Sequence, residues 1–176
     1  MLALRRPTED ELWEELCALP SHLKGELVGG QLHVQPRPRY RHQNASGRTY
    51  SQLDGALGGK GDRPDGWVIV QEPGIELPGA REVSPDVAGW RGHKAALVDF
   101  DEPITIAPDW VCEVQSPSNK RWQDEKNQQW LAETKIPFYG RHGVEWLWLI
   151  APMQRTIEVW RLVDGDYRRV CTHSEG

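Results

Sequence analysis

The chain has 176 residues, of which 38% are hydrophobic and nine are tryptophan, and its formal net charge is −5. This composition excludes a disordered chain and predicts one domain over residues 1–176, long enough to bury about 70% of its unfolded surface. The acidic balance argues against a nucleic-acid-binding surface that covers the whole protein, although a local one is compatible with it. No apolar run approaches the roughly 20 residues of a membrane-spanning helix, so we expect no membrane partner. Three cysteines without CxxC spacing support neither a disulfide framework nor a zinc site, and we expect a cytoplasmic location.

The amino-terminal part predicts a helix, a hairpin and a second helix. Residues 7–19 carry leucines at helical spacing behind a capping box formed by Thr8 and Glu11. Residues 26–35 predict a β-hairpin with a Gly-Gly turn, and spacing alone favours a solvent-facing Glu26 at its start. A helix is expected over residues 41–57, with His42 in its first turn, where a structural role is the commoner one.

A basic segment joins the hairpin to the second helix. Between His33 and Leu53 the sequence has no acidic residue and four arginines, namely Arg37, Arg39, Arg41 and Arg48. In an acidic chain, this asymmetry marks a candidate surface for nucleic-acid phosphates. A solvated loop broken by prolines explains the same arginines equally well, so the sequence does not decide between the two.

The central part predicts strands. Residues 67–77 read as a strand interrupted at Pro73-Gly74, and residues 83–90 read as one short strand that contains Asp86. Residues 110–114 form an apolar strand pattern with a single carboxylate, Glu113.

The carboxy-terminal part predicts a helix and a meander. After a polar segment, Pro137 fits the first turn of a helix that is capped at Thr134 and stopped by Gly143. Strands over residues 145–150, 156–162 and 167–171 follow. The order of elements indicates an α/β or α+β fold without an internal repeat.

The two carboxylates of the central strands point to metal chemistry. An unpaired acid in a buried strand is costly, and two acids at the ends of neighbouring strands stay ionised mainly when a cation lies between them. Hard oxygen ligands suit Mg²⁺ or Mn²⁺, which can polarise a phosphodiester and deliver hydroxide while a nearby lysine orients the water. Structural roles remain open on spacing alone: Asp86 as a turn residue, and Glu113 as the partner of an arginine.

Several motifs occur in a fixed order along the chain: ELVGGQLHVQPRPRYRH, EPGIEL, SPDVAGW, APDWVCEVQSPSN, KIPFYGRHGVEWLWLIAP and TIEVWRL. Together they resemble the Uma-type family of restriction endonucleases, a bacterial family of the PD-(D/E)XK nuclease superfamily, over most of residues 20–171. The resemblance implies a restriction-endonuclease-like core, with a mixed central sheet flanked by helices, that acts on DNA with Mg²⁺ or Mn²⁺. It also makes a homodimer an expectation.

The resemblance implies roles for individual residues. Asp86 and Glu113 correspond to the metal ligands of the family. Glu26, His42 and Glu72, the last of which opens the EPGIEL motif, are expected at or near the site.

The catalytic lysine is the point at which the chain departs from the superfamily. Most PD-(D/E)XK enzymes have lysine two residues after the glutamate, where this chain has Gln115. In the Uma-type family a following helix supplies the lysine in a D-x-x-x-K-x-x-x-Y pattern. Lys135 and Tyr139 fit the last two members of that pattern, and Leu131 stands in place of the Asp. Lys126, two residues after Asp124, is a rival for the role, and Gln115 could itself offer a neutral ligand for water.

Three hypotheses follow. The first is a metal-dependent DNA endonuclease that uses Asp86, Glu113 and a lysine. The second is a catalytically degenerate module that binds nucleic acid or another partner. In the third, Asp86 and Glu113 form an ion-paired core motif without a ligand.

Overall fold

The computed structural model describes residues 5–58, 66–99, 101–115 and 121–174. The first half contains helix α1 (Glu9–Cys17), strands β1 (Leu23–Val28) and β2 (Gln31–Pro36), helix α2 (Tyr40–Leu57), and strands β3 (Trp67–Gln71), β4 (Ile75–Leu77), β5 (Ala80–Val83) and β6 (Val87–Arg91). The second half contains a 3₁₀ turn (Ala95–Leu97), strand β7 (Trp110–Val114), helix α3 (Arg121–Trp130), a π-helical turn (Leu131–Lys135), helix α4 (Ile136–Arg141), and strands β8 (Trp146–Ala151), β9 (Thr156–Val163) and β10 (Asp166–Ser174). No helix within the described ranges is long and apolar enough to cross a membrane.

The strands form two sheets. A four-stranded sheet has the order β2-β1-β5-β4, and a six-stranded sheet has the order β10-β9-β8-β7-β6-β3. In the larger sheet β7 and β8 run parallel, whereas β6 and β7 run antiparallel, so this central sheet is mixed. The predicted fold class, α+β with a mixed sheet between helices, is confirmed.

Both faces of the central strands are covered, because each face packs against a helix. On one face Val87 and Cys112 pack with Leu53 of α2. On the other face Ala88 and Val111 pack with Phe138 of α4. Strands buried on both faces lack the alternation of half-exposed strands, which explains the continuous apolar run in β7.

The local predictions near the amino terminus are confirmed. The side chain of Thr8 accepts a hydrogen bond from the backbone N–H of Glu11, and the side chain of Glu11 accepts one from the backbone N–H of Thr8. Val28 pairs with Gln31 across a two-residue turn, in which Gly29 and Gly30 both have positive φ angles. Such a turn matches the twist of the two strands that it joins.

The prediction of one strand over residues 83–90 is wrong. β5 ends at Val83, β6 begins at Val87, and the two strands belong to different sheets. Pro85 lies between them and has no N–H to donate to a strand ladder, so the pairing breaks there. The consequence is functional, since Ser84 and Asp86 lie at the junction of the two sheets and both are buried.

The predicted helix cap at Thr134 is also wrong. Helical conformation continues from α3 through the π-helical turn into α4, and the N–H of Ile136 bonds to the carbonyl of Leu131, five residues earlier. Pro137 follows directly, and its missing N–H would leave a gap in a regular α-helical ladder. The wider turn accommodates this proline without ending the helix.

A glycine substitution in β6, the strand that follows Asp86, tests the packing of that strand, and a second one in α2 serves as the comparison. A Cβ atom added at Gly89 would lie 3.0 Å from side-chain atoms of both Ile69 and Trp67, whereas one added at Gly55 in α2 would meet nothing within 4 Å. We expect Gly89→Ala to lower the free energy of unfolding by about 1–3 kcal/mol, because overpacking displaces neighbours. Gly55→Ala should raise it by about 0.5–1 kcal/mol, because alanine restricts the unfolded chain. Urea unfolding measures both, and a loss of stability in both variants would contradict this account.

Candidate active site

The two predicted metal ligands face each other across adjacent strands. Asp86 immediately precedes β6 and Glu113 lies in β7, and the pairing of Val87 with Cys112 places Asp86 opposite Glu113. Their exposed fractions are 5% for Asp86 and 7% for Glu113. The fold therefore brings together two carboxylates that are 27 positions apart in the sequence. They lie at the junction of the two sheets, where the chain passes from β5 in the smaller sheet to β6 in the larger one.

Asp86 is fixed from two sides. Its Oδ1 lies 2.8 Å from Nε2 of His42, and its Oδ2 accepts a 2.7 Å hydrogen bond from the N–H of Val114. Burial acts to raise the pKa of Asp86, but the hydrogen bond and charge of His42, with the charges of Lys24 and Lys135, hold that pKa below its ordinary value. Asp86 is therefore kept ionised, as a cation ligand requires.

Glu113 is held by residues of the π-helical turn and of α4. Its Oε1 accepts from the hydroxyl of Tyr139 at 2.6 Å and lies 2.7 Å from the Lys135 ammonium nitrogen. Burial, together with the negative charges of Asp86 and Glu26, raises the pKa of Glu113 to about 7, although Lys135 acts in the opposite direction. Burial thus disfavours the charged form of Glu113 by more than the neighbouring ammonium group of Lys135 favours it.

Lys135 connects the two sheets. Its ammonium group lies 2.9 Å from Oε1 of Glu26 and 2.7 Å from Glu113, and it donates to the carbonyl of Ser84 at 3.1 Å. Burial favours the neutral amine, yet the charges of Glu113, Glu26 and Asp86 outweigh it and raise the pKa of Lys135 above its ordinary value. The lysine therefore stays charged inside the protein.

The structure differs from the sequence prediction most at Glu26, which the spacing of the hairpin predicted to face solvent. It is 1% exposed rather than solvent-facing. Its Oε1 accepts from the N–H of Ser84 at 2.8 Å, and its Oε2 accepts from the indole N–H of Trp130 at 3.2 Å. Burial opposes its ionisation, but Lys135 and Lys24, with the hydrogen bonds from Lys135 and Ser84, lower its pKa overall. We call Glu26, Asp86, Glu113 and Lys135 the acid–lysine cluster.

Three further contributors were not singled out by the sequence reasoning for this site. Lys24 and Glu26 lie on the same face of β1, because side chains two residues apart in a strand point the same way. This spacing is the one sequence pattern that places Lys24 near Glu26. Trp130 holds Glu26 from α3. The main chain of Ser84 bonds to both Glu26 and Lys135, and a backbone contact leaves no residue pattern that a sequence can show.

A cavity of about 680 Å³ opens onto the acid–lysine cluster. The predicted residues Gln115, Arg37 and Arg39 line it, as does His42. Strand β2 with the loop that follows it forms one wall, and α3 forms the opposite wall.

Other predicted residues lie outside the cavity lining: Lys126, Glu72, Arg41 and Arg48, all of them exposed. Lys126 is an exposed residue of α3. Glu72 makes an ion pair with Lys24 at 3.7 Å. Of the two lysine candidates, the structure therefore places Lys135 at the cluster and Lys126 on the surface.

The residues present fit a divalent cation between Asp86 and Glu113. Both residues offer hard carboxylate oxygens and line the same cavity, which is the donor chemistry that Mg²⁺ and Mn²⁺ prefer. Within the described ranges, no group of three or more His, Cys, Asp or Glu side chains is arranged to hold a metal. A cation here would therefore take two protein carboxylates and complete its shell with water or substrate oxygens, which is how Mg²⁺ commonly binds.

Removing the central ammonium tests the electrostatic account. We expect Lys135→Met to lower the free energy of unfolding by about 3–5 kcal/mol at pH 8, because Glu26 and Glu113 would remain buried without their cation. Lys126→Met, on the exposed side of α3, should change it by no more than about 0.5 kcal/mol. Chemical denaturation compares the two variants with the wild type, and equal stabilities would refute the pairing.

The pH dependence of stability tests the state of Glu113. Its folded pKa of about 7 exceeds its ordinary value of 4.5, so the folded state binds the proton more tightly. The resulting stabilisation is fully present below about pH 4.5 and is lost as pH rises through 7, a change of about 3 kcal/mol. In buffer containing EDTA, wild-type protein should therefore lose stability relative to Glu113→Gln across this interval. Parallel stability curves would show that Glu113 is not the titrating group.

Comparisons with known proteins agree with this architecture. The chain is similar to a solved structure from Anabaena variabilis, described as a putative nuclease belonging to DUF820, with 22% identity and a TM-score of 0.64. The similarity covers 93% of this chain and 83% of that chain, and it supports the fold. No protein with a curated description matches the chain. The chain also matches the Uma2 family, described as "putative restriction endonuclease", over residues 12–176. Since this match spans nearly the whole chain, the protein belongs to the Uma2 family.

Proposed function

We propose that this protein is a metal-dependent nuclease that hydrolyses phosphodiester bonds in DNA. The observation that carries the proposal is the facing pair Asp86 and Glu113, with the Lys135 ammonium 2.7 Å from Glu113 and a cavity leading to all three. The description of the Uma2 family and that of the Anabaena variabilis protein support the same reaction class.

Asp86 and Glu113 would hold Mg²⁺ or Mn²⁺. Such an ion, when bound, polarises the phosphodiester and makes its water more acidic. The two strands set the spacing of the carboxylates, and His42 with the Val114 N–H fixes the orientation of Asp86. These supports lie in α2 and β7, so the ligand geometry rests on regular elements rather than on a loop.

Lys135 would stabilise the negative charge that develops on the phosphate during attack. An ammonium group positioned in advance does this without reorganisation at the moment of reaction. Glu26 and the Ser84 carbonyl hold the group in place, and Tyr139 donates to the same Glu113 oxygen that Lys135 contacts. Gln115 lines the cavity beside Glu113 and could orient water through its neutral amide.

Arg37 and Arg39 would bind the phosphate backbone at the mouth of the cavity. Both are exposed cavity-lining residues, and Arg37 is steadied by a 2.6 Å hydrogen bond from its Nε to the Ser21 carbonyl. Arg41 and Arg48 extend the positive charge along the exposed side of α2. A local basic strip of this kind can bind DNA even though the chain as a whole is acidic.

The second candidate is a nucleic-acid-binding module without catalysis. The observation in its favour is that Glu26, Glu113 and Ser84 together can occupy all three N–H groups of Lys135. A lysine held only for structure would show the same contacts. Cleavage and binding must therefore be measured on the same samples.

Cleavage of DNA with added metal tests the proposal. We expect Mg²⁺ or Mn²⁺ to support cleavage of circular single-stranded DNA or supercoiled plasmid, followed by gel electrophoresis. Asp86→Asn and Glu113→Gln should lower the rate at least a hundredfold, or about 3 kcal/mol of barrier, because each removes a metal ligand. Glu76→Gln, an exposed acid of β4 outside the cavity, should keep the wild-type rate.

A metal-binding readout separates the candidates. Mg²⁺ or Mn²⁺ should raise the melting temperature of the wild type and leave that of Asp86→Asn unchanged, because a ligand that binds the folded state stabilises it. Should neither DNA be cut while both are bound, the binding module would be the better account. A protein that neither responds to metal nor cuts either DNA would overturn the nuclease proposal.

A further inference from the structure

We infer that the site acts on unpaired DNA strands, such as single strands, overhangs and frayed ends, in preference to intact duplex. This inference rests on the proposed nuclease function and adds the substrate class. It is carried by the depth of the acid–lysine cluster, the chemistry of the cavity walls and the contacts that hold those walls together.

The acid–lysine cluster is almost completely buried, and a cavity leads to it. Its exposed fractions range from 1% for Glu26 to 7% for Glu113, and the access to it is a cavity of about 680 Å³. Cavities of this size enclose ligands of drug or nucleotide scale. A duplex carries its phosphates on the outside of a rod whose major groove alone is about 12 Å wide. A single strand can enter such a cavity, whereas a rod of paired strands stays at its mouth.

The walls of the cavity suit nucleobases as well as phosphate. Four glutamines line it, namely Gln35, Gln115, Gln128 and Gln154, together with apolar surface from Pro36 and Leu131. A carboxamide both donates and accepts hydrogen bonds, as do the edges of bases. Those edges are open to a protein mainly when the bases are unpaired, and apolar surfaces then stack on the base faces. A site that recognised duplex phosphates alone would have no use for these groups.

The two walls are tied to each other and to the acid–lysine cluster. The ring of His33, from β2, stacks on the ring of Trp130, from α3, with centroids 4.7 Å apart and planes inclined by 6°. Nε2 of His33 also lies 3.2 Å from Oδ1 of Asn127, and the indole of Trp130 bonds to Glu26. Opening the cavity wide enough for a duplex would separate these contacts. The cavity is therefore expected to keep its width when substrate binds.

Three matched substrates test the inference on the wild-type chain. One labelled oligonucleotide is presented with Mg²⁺ or Mn²⁺ as a single strand, as a blunt duplex, and as a duplex with a central unpaired bubble. We expect kcat/KM to be at least about tenfold higher for the single strand than for the duplex, with cuts in the third substrate confined to the bubble. Equal or faster cleavage of the blunt duplex would overturn the inference while leaving the nuclease proposal intact.

A substitution in the cavity wall provides an independent readout. Gln128 and Gln129 are adjacent and exposed on α3, but only Gln128 lines the cavity, whereas Gln129 bonds to Glu133. Gln128→Ala should weaken single-strand binding about threefold to tenfold, with the matched control Gln129→Ala unchanged. Binding that is the same in both variants would show that bases do not enter the cavity. Failure to cut any of the three substrates would instead overturn the proposed nuclease function, and this inference with it.

Discussion

The ion pairs of Lys135 hold the site together. One ammonium group lies between Glu26, from the smaller sheet, and Glu113, from the larger sheet, and it also bonds to the segment that joins the sheets. Buried ion pairs of this kind contribute little net stability compared with apolar packing, but loss of one partner is costly. The arrangement therefore favours one relative position of the two sheets, and that position sets Asp86 opposite Glu113.

The three buried carboxylates of the site have pKa values that are shifted in different directions, and this is informative. A protein core usually settles its charges by pairing them or by changing their protonation. Here Asp86 and Glu26 are held ionised, while Glu113 has a pKa near neutrality. Titratable groups with pKa values driven in opposite directions within one cavity are characteristic of functional sites. A cation bound beside Glu113 would lower that pKa, because an opposite charge favours the carboxylate form.

Short-range features could be predicted from the sequence, and long-range ones could not. The Thr8 capping box and the Gly29-Gly30 turn depend on residues within a few positions, so their patterns identify them. The burial of Glu26 depends on Lys135, more than a hundred positions away, and spacing within the hairpin carries no trace of it. Resemblance to a family supplied what spacing lacked, because it pointed to Glu26 near the site. The contact through the Ser84 main chain was beyond both approaches.

The π-helical turn has a consequence for which changes this protein could tolerate. Trp130 and Lys135 both reach Glu26, although they are five residues apart. In a regular α-helix, residues five apart point in directions that differ by about 140°. The wider turn brings the two side chains back towards one side, and such turns often mark functional sites. Replacing the π-helical turn with a regular α-helical one of the same chain length would therefore separate the pair, even if every side chain of the site were retained. The wider backbone of this turn is thus as strict a requirement as the identity of the residues themselves.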